Sequence, residues 1–314
     1  MELLSLPSPA RRLWQTTRGV LHRALSQMGR PQSCWPLGGG TILAQRWAHR
    51  ESTDIDLTVP EGSRILELDK RFGGTLEADM YAVGARDVLM GATLHRIVFD
   101  EGVVDIAELD SRPASGHRRV LIDGHEVAVK STAQILRGKL ERALKRESPA
   151  RDLFDVAVAH HAAPHALASA VNMLDAETIR GVGNHWKTNA YRLEQEAGTK
   201  LLRVAPEYEP ERRRLVDRAL ERLDGAVYRQ VTIRKDAGGV AVLTRTGAHV
   251  RNTVPVSRED AAETLDTAGI GTFLDHAARG GAEAVLADVL AAFDAGPSSS
   301  LVIFDWNAGA PVIR

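Results

Sequence analysis

The stretch GGGTILAQRWAHRESTDIDL, residues 38–57, constrains the fold of this chain more than any other. Its glycines lead into a short helix, which we predict over residues 41–48, and the alternation over residues 54–59 predicts a strand. Side chains at alternate positions of a strand share one face, so Asp54 and Asp56 point to one spot. The sequence therefore predicts a glycine turn, a helix and a strand that carries two convergent carboxylates.

These elements together have the chemistry of a triphosphate site beside a metal site. Paired carboxylates suit Mg²⁺, which prefers few carboxylates and completes its shell with substrate phosphate oxygens. Gly39 and Gly40 allow close backbone approach, and a helix that begins near Thr41 directs free N–H groups at an anion. A lone D-x-D is more often a surface feature, and a lone glycine pair is more often a turn. Their combination favours the functional interpretation, and the stretch lacks the P-loop and dinucleotide fingerprints.

The rest of the chain predicts an α+β protein with two or three domains over its 314 residues. Turn chemistry at 100–102 and 123–124 predicts hairpins. We predict a mixed α+β domain over 1–130, a helical domain over 131–224 and a small α+β part over 225–314. The helices predicted within these parts cover 9–29, 63–72, 131–146, 258–267 and 282–294, and a further helix opens near 151 with helical patterning to 223. The predicted strands cover 75–82, 93–99, 102–108, 118–122 and 125–129. The C-terminal part has β-rich runs within 228–250 and an apolar run over 301–306.

Composition and charge exclude several classes of protein. The chain is 44% hydrophobic and 26% charged with a net charge of −1, so no global charge attracts it to nucleic acid or to an anionic membrane. A single cysteine, Cys34, excludes a disulfide framework and a multi-thiolate zinc site. No apolar run follows Arg11 and Arg12, so no signal peptide is predicted and the cytosol is the expected compartment. We expect no association with a membrane.

The opening stretch resembles the glycine-pair and D-x-D segment of the AbiEii/AbiGii-type nucleotidyltransferase toxins. That family is a branch of the DNA polymerase β-like nucleotidyltransferase superfamily. Its pattern is roughly Gly-Gly-Thr/Ser, a short helix, an Arg-rich turn with Ser, and then Asp-x-Asp. The matching residues here are Gly39, Gly40, Thr41, Arg46, His49, Arg50, Ser52, Asp54 and Asp56.

A second family block is similar to ILRGKLERALKRESPARDLFDV in this chain. Lys139 matches the lysine that contacts the nucleotide in the family. Arg151, Asp152 and Asp155 match the downstream run, and Asp155 is our first choice for its functional acid. Family members often carry a second basic residue five positions past the lysine. Leu144 stands there in this chain, which leaves open which cation supports Lys139.

The resemblance implies a polymerase β-like domain and a Mg²⁺-dependent reaction with an NTP as the substrate, Mn²⁺ being the alternative ion. It implies that Asp54 and Asp56 hold the metal and that Lys139 neutralises triphosphate charge. Asp155 either positions Lys139 or takes the proton of the acceptor. The residues that it implies for nucleotide binding are Gly39, Gly40, Thr41, Arg46, Ser52 and Lys139.

Two further features leave alternatives open. Asp105, on a predicted strand, is either a third carboxylate of the metal site or a strand-edge aspartate in a hairpin. From Lys130 to Arg151 the basic residues outnumber the acidic ones. Such a run is usually a solvated helix face, but beside a phosphate-handling site we favour a role in holding triphosphate or RNA backbone.

The resemblance implies an RNA acceptor, foremost a tRNA 3′ end, and the role of a bacterial toxin with a separately encoded antitoxin. Two alternatives stay open at this point. In one, the nucleotide goes to a protein side chain or to a small molecule such as an antibiotic. In the other, the chain is a non-catalytic nucleotide- or RNA-binding module on the same scaffold. Intact Asp54, Asp56 and Lys139 argue against the second, because carboxylates that repel one another are costly to keep together.

Overall fold

The structure, a computed structural model, divides into two compact units. The first comprises Met1–Ser131 with Leu202–Pro206, and the second comprises Thr132–Leu201 with Glu207–Arg314. The three-part division stays a prediction. The residues described are 2–27, 35–59, 65, 75–108, 118–144, 149–174, 176–201, 203–236, 239–247, 251–255 and 300–305.

The first unit contains a mixed sheet. Its strands are β1 (Glu2–Leu3), β2 (Leu37–Gly38), β3 (Ile55–Val59), β4 (Asp87–Met90), β5 (Leu94–Val98), β6 (Val103–Glu108), β7 (Arg118–Ile122) and β8 (His125–Val129). Among the described residues, the order across the sheet is β1-β7-β8-β2-β3-β6-β5-β4. The pairs β1–β7, β2–β8 and β3–β6 are parallel, and the others are antiparallel. The predicted α+β class with a mixed sheet is confirmed.

Local sequence patterns explain the strands that surround the centre of this sheet. Ile55, Leu57 and Val59 of β3 are buried while the residues between them are half-exposed, which confirms the predicted alternation. Both predicted hairpins are present, β5–β6 and β7–β8. In the second turn, Asp123 and Gly124 have φ of 49° and 79°. Positive φ at both central positions is what a two-residue hairpin with Asp-Gly requires.

Among the helices that accompany the sheet, those described in full are α1 (Ser8–Gln27), α2 (Gly39–Trp47) and α3 (Thr75–Ala82). The first two confirm the predicted helices, but the strand predicted over 75–82 is wrong. Apolar residues there alternate like those of a strand, yet only Leu76 and Met80 are buried. They stand four residues apart, which is the helical period, and the segment is rich in good helix formers. Strand β4 was not predicted, and of the helix predicted over 63–72 only residue 65 is described.

The second unit begins with helices. These are α4 (Thr132–Leu144), α5 (Ala150–Ala162), α6 (Pro164–Asn172), α7 (Ala176–Thr188), α8 (Ala190–Lys200), α9 (Glu209–Arg212) and α10 (Leu215–Gly225). The predicted helical region is confirmed, and residues 145–148 lie outside the described ones. Leu136 and Leu140 of α4 and Phe154 and Val158 of α5 are fully buried. Their spacing of four residues gives each helix an apolar face directed into the core.

A second sheet in this unit has the order β11-β10-β9-β12 among the described residues. Its strands are β9 (Tyr228–Asp236), β10 (Gly239–Thr246), β11 (Arg251–Pro255) and β12 (Ser300–Asp305). All of its pairs are antiparallel. The two predicted β-rich runs are confirmed as β9 and β10. The helices predicted over 258–267 and 282–294 lie outside the described residues.

None of the helices in the described part of the chain combines the length and the apolar character needed to cross a bilayer.

Candidate active site

The glycine turn and the D-x-D motif meet where β2 and β3 pair. Gly38 of β2 lies opposite Asp56 of β3. The next residue, Gly39, has φ of +73°, and a Cβ built on it would lie 1.6 Å from Oδ2 of Asp56. Non-bonded atoms do not approach so closely, so only glycine at position 39 leaves room for this carboxylate. Gly40 follows in α2 and is half-buried.

Two buried hydroxyl groups fix the backbone of the first aspartate. The Thr41 hydroxyl donates to the carbonyl of Asp54 at 2.5 Å and lies 2.8 Å from the Ser52 hydroxyl. A carbonyl only accepts, so the Thr41 proton goes to Asp54, and Ser52 donates the proton that joins the two hydroxyls. Thr41 is 2% exposed and Ser52 is 8% exposed. The structure thus gives both residues a positioning role, and their contact with a nucleotide stays a prediction.

The side chain of Asp54 is anchored to the neighbouring strand. Its Oδ1 accepts hydrogen bonds from the backbone N–H of Val103 and from the Thr53 hydroxyl, both at 3.3 Å. Val103 is the first residue of β6, which pairs in parallel with β3. Asp54 is thus anchored by these hydrogen bonds, and Asp56 fits closely against Gly39.

Asp105 lies next to Asp56 in the sheet and forms an ion pair with an arginine. The register of β3 and β6 places Asp105 opposite Asp56, and that of β5 and β6 places it opposite Arg96. Arg96 donates from Nε to Oδ1 at 2.9 Å and from Nη2 to Oδ2 at 2.7 Å. Asp105 therefore belongs to the predicted hairpin, but β6 lies between β3 and β5 and is not at an edge of the sheet. A metal-ligand role for Asp105 stays a prediction.

The electrostatics of Arg96 connect it to all three carboxylates. Its pKa is raised above the usual value chiefly by the hydrogen bond to Asp105, although burial acts in the opposite direction. The negative charges of Asp105, Asp54 and Asp56 raise it further. These carboxylates therefore form one electronegative group, which attracts the guanidinium of Arg96.

Two basic residues lie at the glycine turn in the same unit. The backbone N–H of Lys130, just past β8, donates to the carbonyl of Leu37 at 2.8 Å. Its aliphatic stem runs beside Gly38, where an added Cβ would be 3.0 Å from Cδ of the lysine. Arg46, near the end of α2, donates to the carbonyl of Lys130 at 3.5 Å. The half-buried Arg46 is thus attached to the same corner of the sheet.

In the second unit, Lys139 is part of a buried cluster of charges. Its Nζ lies 2.6 Å from Oδ1 of Asp152 and 2.7 Å from Oδ2 of Asp155. The side chains of Lys139 and Asp152 are 2% exposed and that of Asp155 is 0% exposed. Arg142, three residues past Lys139 and on the same helix face, lies 3.0 Å from Oδ2 of Asp152. Arg142 is thus a cation beside the Lys139 cluster, three and not five residues past Lys139.

The basic run from Lys130 to Arg151 spans more than one element. Lys130 follows a strand, α4 comprises Thr132–Leu144, and Arg151 belongs to α5. The basic residues of α4 form ion pairs within the unit. Arg137 pairs with Glu141, and Lys139 and Arg142 pair with the aspartates of α5. A role of the run in holding triphosphate or RNA backbone stays a prediction.

The family comparison agrees with the motifs. A family model described as "Nucleotidyl transferase AbiEii toxin, Type IV TA system" matches residues 23–225, more than half of the chain. The chain belongs to this family. Among solved structures, the crystal structure of ANT(2″)-Ia in complex with adenylyl-2″-tobramycin matches 57% of this chain and 92% of its own, with 19% identity and a TM-score of 0.28. The search of curated proteins gives no match.

As a member of the AbiEii family, the chain is a nucleotidyltransferase, and the non-catalytic alternative is set aside. In this AbiEii-type protein, Arg96 escaped the sequence analysis as a part of the site. It carried a detectable signal, because counting outward from the hairpin turn at 100–102 pairs it with Asp105. Lys130 was named only as the start of the basic run, since its place beside Gly38 depends on the pairing of β2 with a strand that is distant in sequence.

Proposed function

We propose that this AbiEii-family nucleotidyltransferase uses Mg²⁺ to move a nucleoside monophosphate from an NTP to a hydroxyl group of RNA. The proposed acceptor is the 3′ end of a tRNA, and the proposed biological role is that of a toxin neutralised by a separately encoded antitoxin. Family membership supports the nucleotidyl transfer and the toxin–antitoxin context. The RNA acceptor is supported by the resemblance of the two motif blocks alone.

One observation carries the proposal of a divalent cation. The Asp56 carboxylate lies against Gly39, the first residue of α2, so closely that a methyl group there would overlap it. The first turn of a helix is where backbone N–H groups bind phosphate. A phosphate bound there would stand beside a carboxylate, and two anions at such close range repel each other. A cation between them offsets the repulsion, and a divalent ion does so more strongly than a monovalent one.

The side chains present fit Mg²⁺ as an ion that the protein and the nucleotide share. Among the described residues, no group of three or more His, Cys, Asp or Glu side chains is arranged to hold a metal ion. Mg²⁺ does not need one, because it binds through one or two carboxylates together with substrate phosphates. Asp54 and Asp56 would supply the carboxylates, with Mn²⁺ as an alternative ion. When bound, the ion would neutralise the phosphate charge and orient the triphosphate.

The chain's own groups would bind the remaining phosphate charge. We propose that the backbone at Gly39 and Gly40 approaches the triphosphate, with Arg46 and Lys130 as the nearby cations of the first unit. Thr41 and Ser52 would act through Asp54, since their hydroxyls hold its backbone. This assignment differs from the prediction for Thr41, because its one proton is committed to a carbonyl.

In the proposed transfer, an oxygen of the acceptor hydroxyl attacks the α-phosphorus. The new oxygen–phosphorus bond forms as the bond to the bridging oxygen breaks, and pyrophosphate leaves. The resemblance assigns Lys139 to the triphosphate charge. The ion pairs of Lys139 with Asp152 and Asp155 support the positioning role for Asp155. An aspartate with 0% exposure that is bonded to an ammonium is poorly suited to accept the acceptor's proton.

The test is a transfer reaction with each of the four α-labelled NTPs and Mg²⁺, offered separately to purified tRNA, total RNA, the protein alone and a set of aminoglycosides. We expect label on a species of tRNA size that RNase removes, and no label in EDTA. Label on the protein or on an aminoglycoside, with RNA unlabelled, would overturn the RNA acceptor and leave the nucleotidyl transfer intact. No label and no pyrophosphate release with any acceptor would contradict the proposal itself.

A further inference from the structure

Arg96 belongs to a row of charged side chains that crosses three adjacent strands. Arg96 on β5 lies opposite Asp105 on β6, which lies opposite Asp56 on β3. Residues in register on neighbouring strands point to the same face of a sheet. The arginine side chain, the third carboxylate and the second aspartate of the D-x-D motif therefore occupy one surface. Arg96 played no part in the mechanism proposed above.

The contact between Arg96 and Asp105 has a demanding geometry. Nε and Nη2 of Arg96 each bond a different oxygen of the same carboxylate, at 2.9 and 2.7 Å. Two parallel bonds of this kind fix the orientation of both groups and engage both oxygens of the aspartate. Lysine, with a single nitrogen, cannot reproduce this fork. The charges of Asp54 and Asp56 also stabilise the charged guanidinium.

We infer that Arg96 is a positioning residue that withholds Asp105 from the divalent cation, so that the ion binds firmly only together with the nucleotide. The inference rests on the proposed function, because it concerns the ion assigned to Asp54 and Asp56. With Arg96 in place, the three carboxylates and the guanidinium carry a formal charge of −2. Two carboxylates are then assigned to the ion, and substrate phosphates complete its shell.

Removing Arg96 should change the character of this site. Asp105 would gain two oxygens able to bind an ion, and the formal charge of the group would become −3. A third carboxylate and an additional negative charge at close range should increase affinity for a divalent ion on the order of tenfold or more. The increase in affinity should be seen without any nucleotide, because Arg96 is inferred to keep the binding of the ion weak in that state.

The experiment measures Mn²⁺ binding to the full chain, by calorimetry and by electron paramagnetic resonance of unbound Mn²⁺, with and without a non-hydrolysable NTP. The variants are Arg96→Gln, Arg96→Lys and the double variant Arg96→Gln/Asp105→Asn. Arg119→Gln is the matched control, because Arg119 forms a cross-strand ion pair with Glu126 elsewhere in the same sheet. Melting temperatures with and without Mn²⁺ report folding and give a second measure of binding.

We expect wild type and Arg119→Gln to bind Mn²⁺ weakly without nucleotide. Arg96→Gln should bind about tenfold more tightly or better and gain melting temperature from Mn²⁺, and the double variant should return to weak binding. The Mn²⁺ affinity of Arg96→Lys should lie between those of wild type and Arg96→Gln. If Arg96→Gln does not fold, the affinity of Arg96→Lys tests the inference in its place. Unchanged Mn²⁺ affinity in the folded Arg96 variants, or a double variant that binds as tightly as Arg96→Gln, would overturn the inference.

The same measurements separate this inference from the proposed function. If wild type binds no Mn²⁺ even with the nucleotide analogue, or if Asp56→Asn binds it equally well, the assignment of the ion to the D-x-D motif fails. If nucleotide-dependent binding requires Asp56 but the Arg96 variants behave like wild type, only the role of Arg96 fails.

Discussion

Replacing Gly39 with alanine gives a direct test of the junction between the glycine turn and the D-x-D motif. The added Cβ would lie 1.6 Å from Oδ2, 2.3 Å from Cγ and 2.8 Å from Cβ of Asp56. A rotation of the carboxylate alone does not relieve this overlap, because Cβ of Asp56 is fixed by its backbone. The pair Gly38–Asp56 also joins β2 to β3, so these strands must move apart or the carboxylate must leave its position.

Gly39→Ala should have a modest effect on stability and a large effect on activity. The positive φ of residue 39 should cost an alanine about 1–2 kcal/mol in the free energy of unfolding. The distance to Oδ2 must open from 1.6 Å to at least 3.0 Å, a displacement of more than an ångström at a carboxylate that we propose to be catalytic. Misplacements of about 1 Å can reduce rates on the order of 10²-fold. We therefore expect a loss of kcat/KM of that order or more in Gly39→Ala.

Gly124→Ala is the matched control for this experiment. Gly124 also has a positive φ, 79°, and lies in the same sheet, but nothing stands within 4 Å of its added Cβ. It should show the backbone cost without the loss of transfer. The assay is label transfer over a range of NTP concentrations, combined with thermal unfolding followed by circular dichroism. If Gly39→Ala loses no more activity than Gly124→Ala, the fit of Asp56 against Gly39 is not required for catalysis.

Three further predictions concern groups in the two units, each by itself. Lys139→Ala removes the ammonium that pairs with Asp152 and Asp155. Because breaking a buried ion cluster leaves uncompensated charge, the free energy of unfolding measured in urea should fall by about 3–5 kcal/mol. A loss below about 1 kcal/mol would contradict a structural role for the cluster. Thr41→Val loses the hydrogen bond to the Asp54 carbonyl, so its free energy of unfolding should fall by about 1 kcal/mol and its kcat should also fall. Thr41→Ser keeps the hydroxyl and should keep the wild-type stability and kcat. Equal behaviour of the two variants would refute the positioning role of Thr41. The pKa of Asp123 is lowered chiefly by the hydrogen bond from Arg11, although burial opposes the shift. Its contribution to stability is therefore complete above the unfolded pKa of about 4 and is lost as the pH falls through the lower folded value. The melting temperatures of wild type and Asp123→Asn should converge between neutral and acidic pH, and a constant difference would contradict this linkage.

The sequence predicted the parts of the site that depend on local patterns. The alternation of β3, the glycine turn before α2 and both hairpins follow from short-range periodicity and turn chemistry. These features sufficed to place Asp54 and Asp56 on one strand beside Gly39. They also placed Lys139 and the aspartates of the second block on neighbouring helices of one region.

Features that depend on pairing between distant segments were not predictable in the same way. The partner of Asp105 follows from the register of β5 and β6, and Lys130 reaches the glycine turn only because β8 pairs with β2. In the basic run after Lys130, charge counting likewise does not show that Arg142 pairs with Asp152. The helix at 75–82 was misread because its apolar residues alternate, although only two of them face the core.

The central claim is that the D-x-D carboxylates support nucleotidyl transfer. The measurement that tests it most directly compares wild type with Asp56→Asn in the transfer of α-labelled NTP to RNA in the presence of Mg²⁺. Asp100→Asn is the control, because Asp100 is an exposed aspartate in the turn between β5 and β6 and pairs with Arg86, which precedes β4. We expect wild type and Asp100→Asn to transfer label, and Asp56→Asn to transfer none while keeping the wild-type circular dichroism spectrum and melting temperature. A folded Asp56→Asn protein that transfers label at close to the wild-type rate would contradict the claim.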